Sequence, residues 1–98
     1  MTMDILVTYD IDTSSPEGER RLLRVAKVCE GYGIRVQYSV FECRLTEVGL
    51  ARLTADLRDE IEPRIDSVNI YRFAGNVNEA RLSLGRTKGH RVGEPWIF

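Results

Sequence analysis

The chain has 98 residues, enough for one domain and too few for an enzyme with separate cofactor and substrate halves. An apolar fraction of 43% is ordinary for a globular protein and excludes a disordered one, and so small a core gains from burial against a second subunit. The net charge of −1 excludes a generic polycation, but it is laid out in blocks: −3 over residues 1–15, +2 over 16–44, −3 over 45–71 and +3 over 72–98.

Met3 to Ile11 is rich in apolar and β-branched residues in loose alternation, which predicts a strand buried on at least one face. Asp12 to Pro16 is a turn that ends in a helix start, with Ser15 as N-cap, Pro16 at the first helical position and Glu17 and Glu19 in the positive first turn. Leu22, Val25, Ala26, Cys29 and Tyr32 then recur at three- and four-residue steps with Arg20, Arg24 and Lys27 on the other side, an amphipathic helix that ends near Gly31 to Gly33. Ile34 to Leu45 suits one long strand or a hairpin arm, with Ile34, Val36, Tyr38 and Val40 on the core face. Either that strand bends at a bulge, or a minimal third strand lies near Glu42 to Leu45.

Thr46 caps a second amphipathic helix marked by Leu50, Leu53, Leu57 and Ile61, which stops before Pro63. Arg64 to Asp66 turns the chain. Ser67 to Ala74 is again strand-like, with Val68, Ile70 and Arg72 on one face and Asn69, Tyr71 and Phe73 on the other. The remainder is polar and glycine-containing until Trp96, Ile97 and Phe98, whose apolar character predicts a late strand against another chain's sheet edge. The order fits an α+β fold, a ferredoxin-like βαββαβ sheet with both helices on one face.

Cys29 and Cys43 stand apart with no metal-binding spacing, the N-terminus has no basic leader, and no apolar run is long enough to span a membrane. The reading is a cytoplasmic protein with reduced thiols. Asp10 closes an otherwise apolar strand and is followed by Asp12. Hard carboxylate oxygens suit magnesium or manganese, while the alternative is that one of them only caps a turn. Arg20, Arg21, Arg24 and Lys27, with Arg35 entering the next strand, are either a row that tracks phosphates or a solvated face paired with Glu17, Glu19 and Glu30. Arg86, Lys88, His90 and Arg91 form a further basic cluster near the C-terminus. His90 is the sole histidine, which excludes catalysis by two imidazoles. There is no glycine-rich phosphate loop after the first strand and no GxSxG, and the aromatic platform of an RNA-recognition motif is missing, so the tyrosines read as core and interface residues.

The runs ILVTYDI at 5–11, RRLLRVAKVCEGYGIRVQYSVFE at 20–42 and DSVNIYRF at 66–73 closely resemble the CRISPR-associated protein 2 family, small adaptation proteins that work beside the CRISPR integrase. The resemblance implies a single ferredoxin-like domain over residues 1–98, a homodimer in which residues 75–98 cross to the partner sheet, and a part in spacer acquisition. It also implies a magnesium-dependent endonuclease acting on RNA or double-stranded DNA, with Asp10 as the catalytic and metal-binding aspartate. Tyr9, Arg20, Arg35, Ser39 and Phe41 are its supporting residues. The alternatives are a non-catalytic DNA-binding scaffold between integrase dimers and a toxin-type endoribonuclease of related fold. One carboxylate per chain is thin for metal catalysis, and a two-fold axis beside Asp10 would supply a second.

Overall fold

The computed structural model describes residues 1–85, so the expected strand at Trp96 to Phe98 and the basic cluster Arg86, Lys88, His90 and Arg91 lie outside the described residues. Strand β1 (Met3–Asp10) leads through a turn to helix α1 (Pro16–Glu30), and β2 (Gly33–Gln37) and β3 (Val40–Leu45) follow as a hairpin. Helix α2 (Glu47–Glu60), β4 (Ser67–Arg72) and a short helix α3 (Val77–Ala80) complete the order. The strands form one sheet in the order β2-β3-β1-β4, antiparallel at every contact, which is the arrangement expected of a βαββαβ sandwich.

The helices start where their caps predict. Ser15 Oγ accepts from the Gly18 N–H and Thr46 Oγ1 from the Gly49 N–H, and each satisfies a donor that the first helical turn leaves free. Pro16 at the first position needs no such partner, and acidic residues face the positive end of both dipoles. Both helices lie on one side of the sheet. Val25, Ala26 and Cys29 of α1 and Leu53 and Leu57 of α2 pack on Ile5, Val7 and Tyr9 of β1 and on Phe41 and Cys43 of β3. Arg24 Nε and Glu60 Oε2, at 3.1 Å, tie the two helices together at the surface.

The segment between the helices corrects the expected strand phase. It is a hairpin whose turn is Tyr38-Ser39, and its core residues are Phe41 and Cys43, whereas Ile34 and Tyr38 of the expected core face are exposed. The chain reverses at the turn, and the β2–β3 register shifts between Arg35 and Gln37, so no single alternation runs through the segment. Neither turn residue has the positive φ of the mirror-image turns that an Asn-Gly pair would announce. Tyr71 is exposed as well, so of the four tyrosines only Tyr9 and Tyr32 contribute to the core.

The second face of the sheet carries no helix layer. It presents Leu6 and Thr8 of β1, Ile34 of β2, Val40 and Glu42 of β3, and Asn69 and Tyr71 of β4, by the parity and register of the strands. One end of this face is covered by the chain itself. Asp4 is buried there, accepts from Arg44 Nε and the Val77 N–H at 2.8 Å each, and so docks α3 on its own sheet. Glu42 pairs with Arg81 just beyond α3. No helix among the described residues is long and apolar enough to cross a membrane.

Candidate active site

Asp10 is the last residue of β1 and is exposed, at the opposite end of the strand from the buried Asp4. Strand parity places it on the face away from α1 and α2, with Leu6 and Thr8, and in the ladder it stands opposite Ser67, the first residue of β4. On its other side is the β2–β3 turn. The Tyr9 N–H donates to the Ser39 carbonyl at 3.1 Å, and Tyr9 Oη donates to the Tyr38 carbonyl at 3.1 Å, so Tyr9 fixes that turn beside Asp10 through its backbone and its side chain at once. Burial raises the Tyr9 pKa, which keeps the phenol protonated and able to donate.

Behind the aspartate lies an aromatic and cationic stack. The Tyr9 and Phe41 rings are 6.2 Å apart, and the Arg35 guanidinium sits 5.2 Å from the Phe41 ring centroid, close enough for a cation–π contact. Arg35 is also 3.8 Å from Glu30. Tyr9, Arg35, Ser39 and Phe41 thus meet toward the end of the sheet where Asp10 lies, with the Tyr9 and Phe41 rings in the core on the opposite face from it.

The basic residues of α1 divide. Arg20 is exposed and 3.6 Å from Glu17, Arg24 pairs with Glu60, and Lys27 is exposed on the same face, so these three form an accessible row with local acidic neighbours. Arg21 points elsewhere. Its Nε is 2.8 Å from Asp66 Oδ2, its Nη2 is 3.2 Å from Asp66 Oδ1, and only 13% of the side chain is exposed. That geometry makes Arg21 part of the scaffold of the site and removes it from the accessible row.

Asp12 takes the turn-capping role, since its Oδ1 accepts from the Ser14 N–H at 2.9 Å. Its pKa is lowered, first by the Ser14 side chain and then by that amide. Asp66 is the residue the sequence reading missed. Its carboxylate is buried and its pKa falls to about 2, driven first by Arg21 against the cost of burial and aided by the Glu62 and Asp12 amides. The available signal was an ionisable residue just before a strand, but its partner on α1 is 45 positions away in sequence.

Among the described residues no group of three or more histidine, cysteine, aspartate or glutamate side chains is placed to hold a metal. Asp10 fits one hard-cation ligand: it is an exposed carboxylate at the end of a strand, opposite the polar Ser67 in the ladder. Both cysteines are buried and free, and burial raises their pKa to about 12 for Cys29 and about 11 for Cys43, which removes them as nucleophiles or ligands at neutral pH.

A family model described as CRISPR associated protein Cas2 matches residues 3–81. The chain is 46% identical over 74 residues to the CRISPR-associated endoribonuclease Cas2 of Chlorobaculum tepidum, covering 76% of this chain and 77% of that protein. It is 41% identical over 96 residues to the CRISPR-associated endonuclease Cas2 of Halalkalibacterium halodurans, covering 98% of this chain and 100% of that protein. Among solved structures it superposes on Streptococcus pyogenes Cas2 with a TM-score of 0.77 at 41% identity, over 85% of this chain and 100% of that one. A hypothetical protein from Thermus thermophilus, TT1823, gives a TM-score of 0.74 at 32% identity, over 89% of this chain and 95% of that one.

Proposed function

Because the chain belongs to the CRISPR-associated protein Cas2 family, we propose that it is a magnesium-dependent endonuclease of spacer acquisition, acting in the cytoplasm as a homodimer beside the CRISPR integrase. The observation that carries this reading is the exposed Asp10 at the end of β1, on the face away from α1 and α2, between Ser67 and the Tyr38-Ser39 turn. The relatives' names support phosphodiester cleavage and divide between endoribonuclease and endonuclease, so RNA and double-stranded DNA are both substrates to test.

A second copy packed over the part of this face that α3 leaves open would cover the exposed Ile34 and Tyr71 and bring two Asp10 carboxylates to a common axis. That pairing supplies the second ligand that one chain lacks. Magnesium, or manganese in its place, would be held by the Asp10 pair and would supply charge neutralisation at the phosphodiester and a more acidic water. The protein's own contribution is placement. Asp10 presents a hard oxygen, Tyr9 holds the neighbouring turn, and Arg35 keeps a positive charge near that end of the sheet. Arg20, Arg24 and Lys27 offer an accessible basic row to a polyanionic backbone.

The test is cleavage of RNA and of duplex DNA with and without magnesium by wild type and by Asp10→Asn. The substitution keeps size and removes charge, and the expected loss is about 100-fold or more. A folded Asp10→Asn dimer that cleaves at the wild-type rate overturns the mechanism. The accessible basic row favours one second reading, a non-catalytic scaffold on duplex DNA, whose signature is salt-sensitive duplex binding that survives Asp10→Asn and falls when Arg20 and Arg24 are neutralised together.

A further inference from the structure

Asp10 ends a strand, and strand ends fray unless something outside the ladder holds them. Here the two residues just past Asp10 are held in place. Ile11 is buried, at 6% exposure. The Asp12 N–H donates to Asp66 Oδ1 at 3.0 Å, and the Asp12 carbonyl lies 3.4 Å from Arg21 Nη2, so one buried ion pair takes both backbone polar groups of Asp12. From the α1 side, Gly18 closes against the same carbonyl: a Cβ at that position would stand 1.9 Å from the Asp12 oxygen. Asp66 also accepts from the Glu62 N–H at 2.8 Å and directly precedes Ser67, the ladder partner of Asp10.

The buried carboxylate therefore joins three elements at one point: the end of β1, the first turns of α1 and the start of β4. Its four hydrogen bonds come from Arg21 on α1, from Asp12 in the turn that follows β1 and from Glu62 in the turn that follows α2. Nothing in that network touches the Asp10 side chain, which stays free to bind. It fixes instead the backbone on both sides of it, two residues onward in the chain and directly across the ladder.

We propose that Asp66 and Arg21 are positioning residues for Asp10, holding its backbone so that the carboxylate meets a divalent cation without first being ordered. This rests on the reading of Asp10 as a metal ligand. A ligand that must be ordered on binding loses affinity by the cost of that ordering, and groups that orient metal ligands typically account for about 10- to 100-fold in affinity or activity.

The experiment compares wild type, Asp66→Asn, Arg21→Lys and Asp10→Asn as full-length protein, at a temperature well below each one's melting transition. Binding of Mn²⁺ alone is followed by electron paramagnetic resonance, and the magnesium dependence of cleavage is measured in parallel. In Asp66→Asn the Asn amide presents donors to Arg21, so the clamp opens. The expected result is an Mn²⁺ half-saturation raised about tenfold, a matching rise for magnesium in cleavage, and an unchanged KM for nucleic acid. Arg21→Lys keeps the charge but cannot reach both Asp66 and the Asp12 carbonyl, and it should fall between. It also serves as the test should Asp66→Asn fail to fold.

Mn²⁺ binding and cleavage like wild type in the folded clamp variants, with both lost in Asp10→Asn, would overturn the positioning role and leave the Asp10 reading standing. If Asp10→Asn itself binds Mn²⁺ and cleaves as wild type does, the Asp10 reading falls and the positioning role with it.

Discussion

Asp66 and Asp10 show how differently two aspartates at one end of a sheet can behave. Asp66 is buried, bonded to Arg21 and two backbone amides, and held charged down to a pKa of about 2. Asp10 is exposed and carries no such cage. A carboxyl whose pKa is lowered on folding adds stability above its unfolded pKa of about 3.9 and loses it as pH falls toward the folded value. The expected result is therefore a melting temperature that drops between about pH 4 and about pH 2, and that drops less steeply in Asp66→Asn. Equal slopes for the two proteins in an acid melting series would show that Asp66 does not supply this term. Asp4 acts in the same direction: Arg44 and the Val77 amide outweigh its burial and lower its pKa.

At the level of elements, the sequence was most legible where one local signal decides the structure. Ser15 with Pro16, and Thr46 with Glu47, set the helix starts, and the three- and four-residue spacing of Val25, Ala26, Cys29, Leu53 and Leu57 set the faces they bury. The hairpin was not legible in phase, because Tyr38-Ser39 has none of the glycine, asparagine or aspartate that marks a two-residue hairpin turn, and the register shift at Arg35 to Gln37 breaks the alternation that would have revealed Phe41. Helix α3 had no periodicity to read, being one turn long and fixed by Asp4 from 73 positions away. The hairpin also has its own point of close approach. A Cβ on Gly33 would stand 2.3 Å from the Glu42 carbonyl oxygen and 2.5 Å from Cys43 Sγ. Gly33→Ala must push β2 away from β3, and a loss of about 1–3 kcal/mol is expected in urea unfolding. A wild-type midpoint would show that the hairpin has slack there.

For the whole molecule, the α+β sandwich could be read from the order of elements, while the candidate site could be read only in part: Asp10 from its place at a strand end, and Tyr9, Arg35, Ser39 and Phe41 from the family resemblance. The clamp behind it joins residues from three separate stretches of chain, and no one stretch announces it. Among the described residues, the face of the sheet away from α1 and α2 is covered only at the end where α3 docks. Ile34 and Tyr71 are exposed on it, and the Glu42 Oε1 atom is buried there with no hydrogen-bond partner among the described residues. A second copy over this face predicts a dimer in sedimentation equilibrium, converted to monomer by Tyr71→Asp with the helical circular dichroism retained. A wild type that sediments as a monomer at micromolar concentration would rule out that mode of association.

The strand order also governs when the domain can form during synthesis. Of the four strands β1 is made first, yet it lies inside the sheet between β3 and β4, and its last ladder partner, Arg72, is 67 positions from Ile5. The nascent chain must therefore hold an apolar strand without one of its two neighbours until β4 has been made. Both helices can coil early from their local signals, but the sheet closes late, as expected of a topology built on distant pairings.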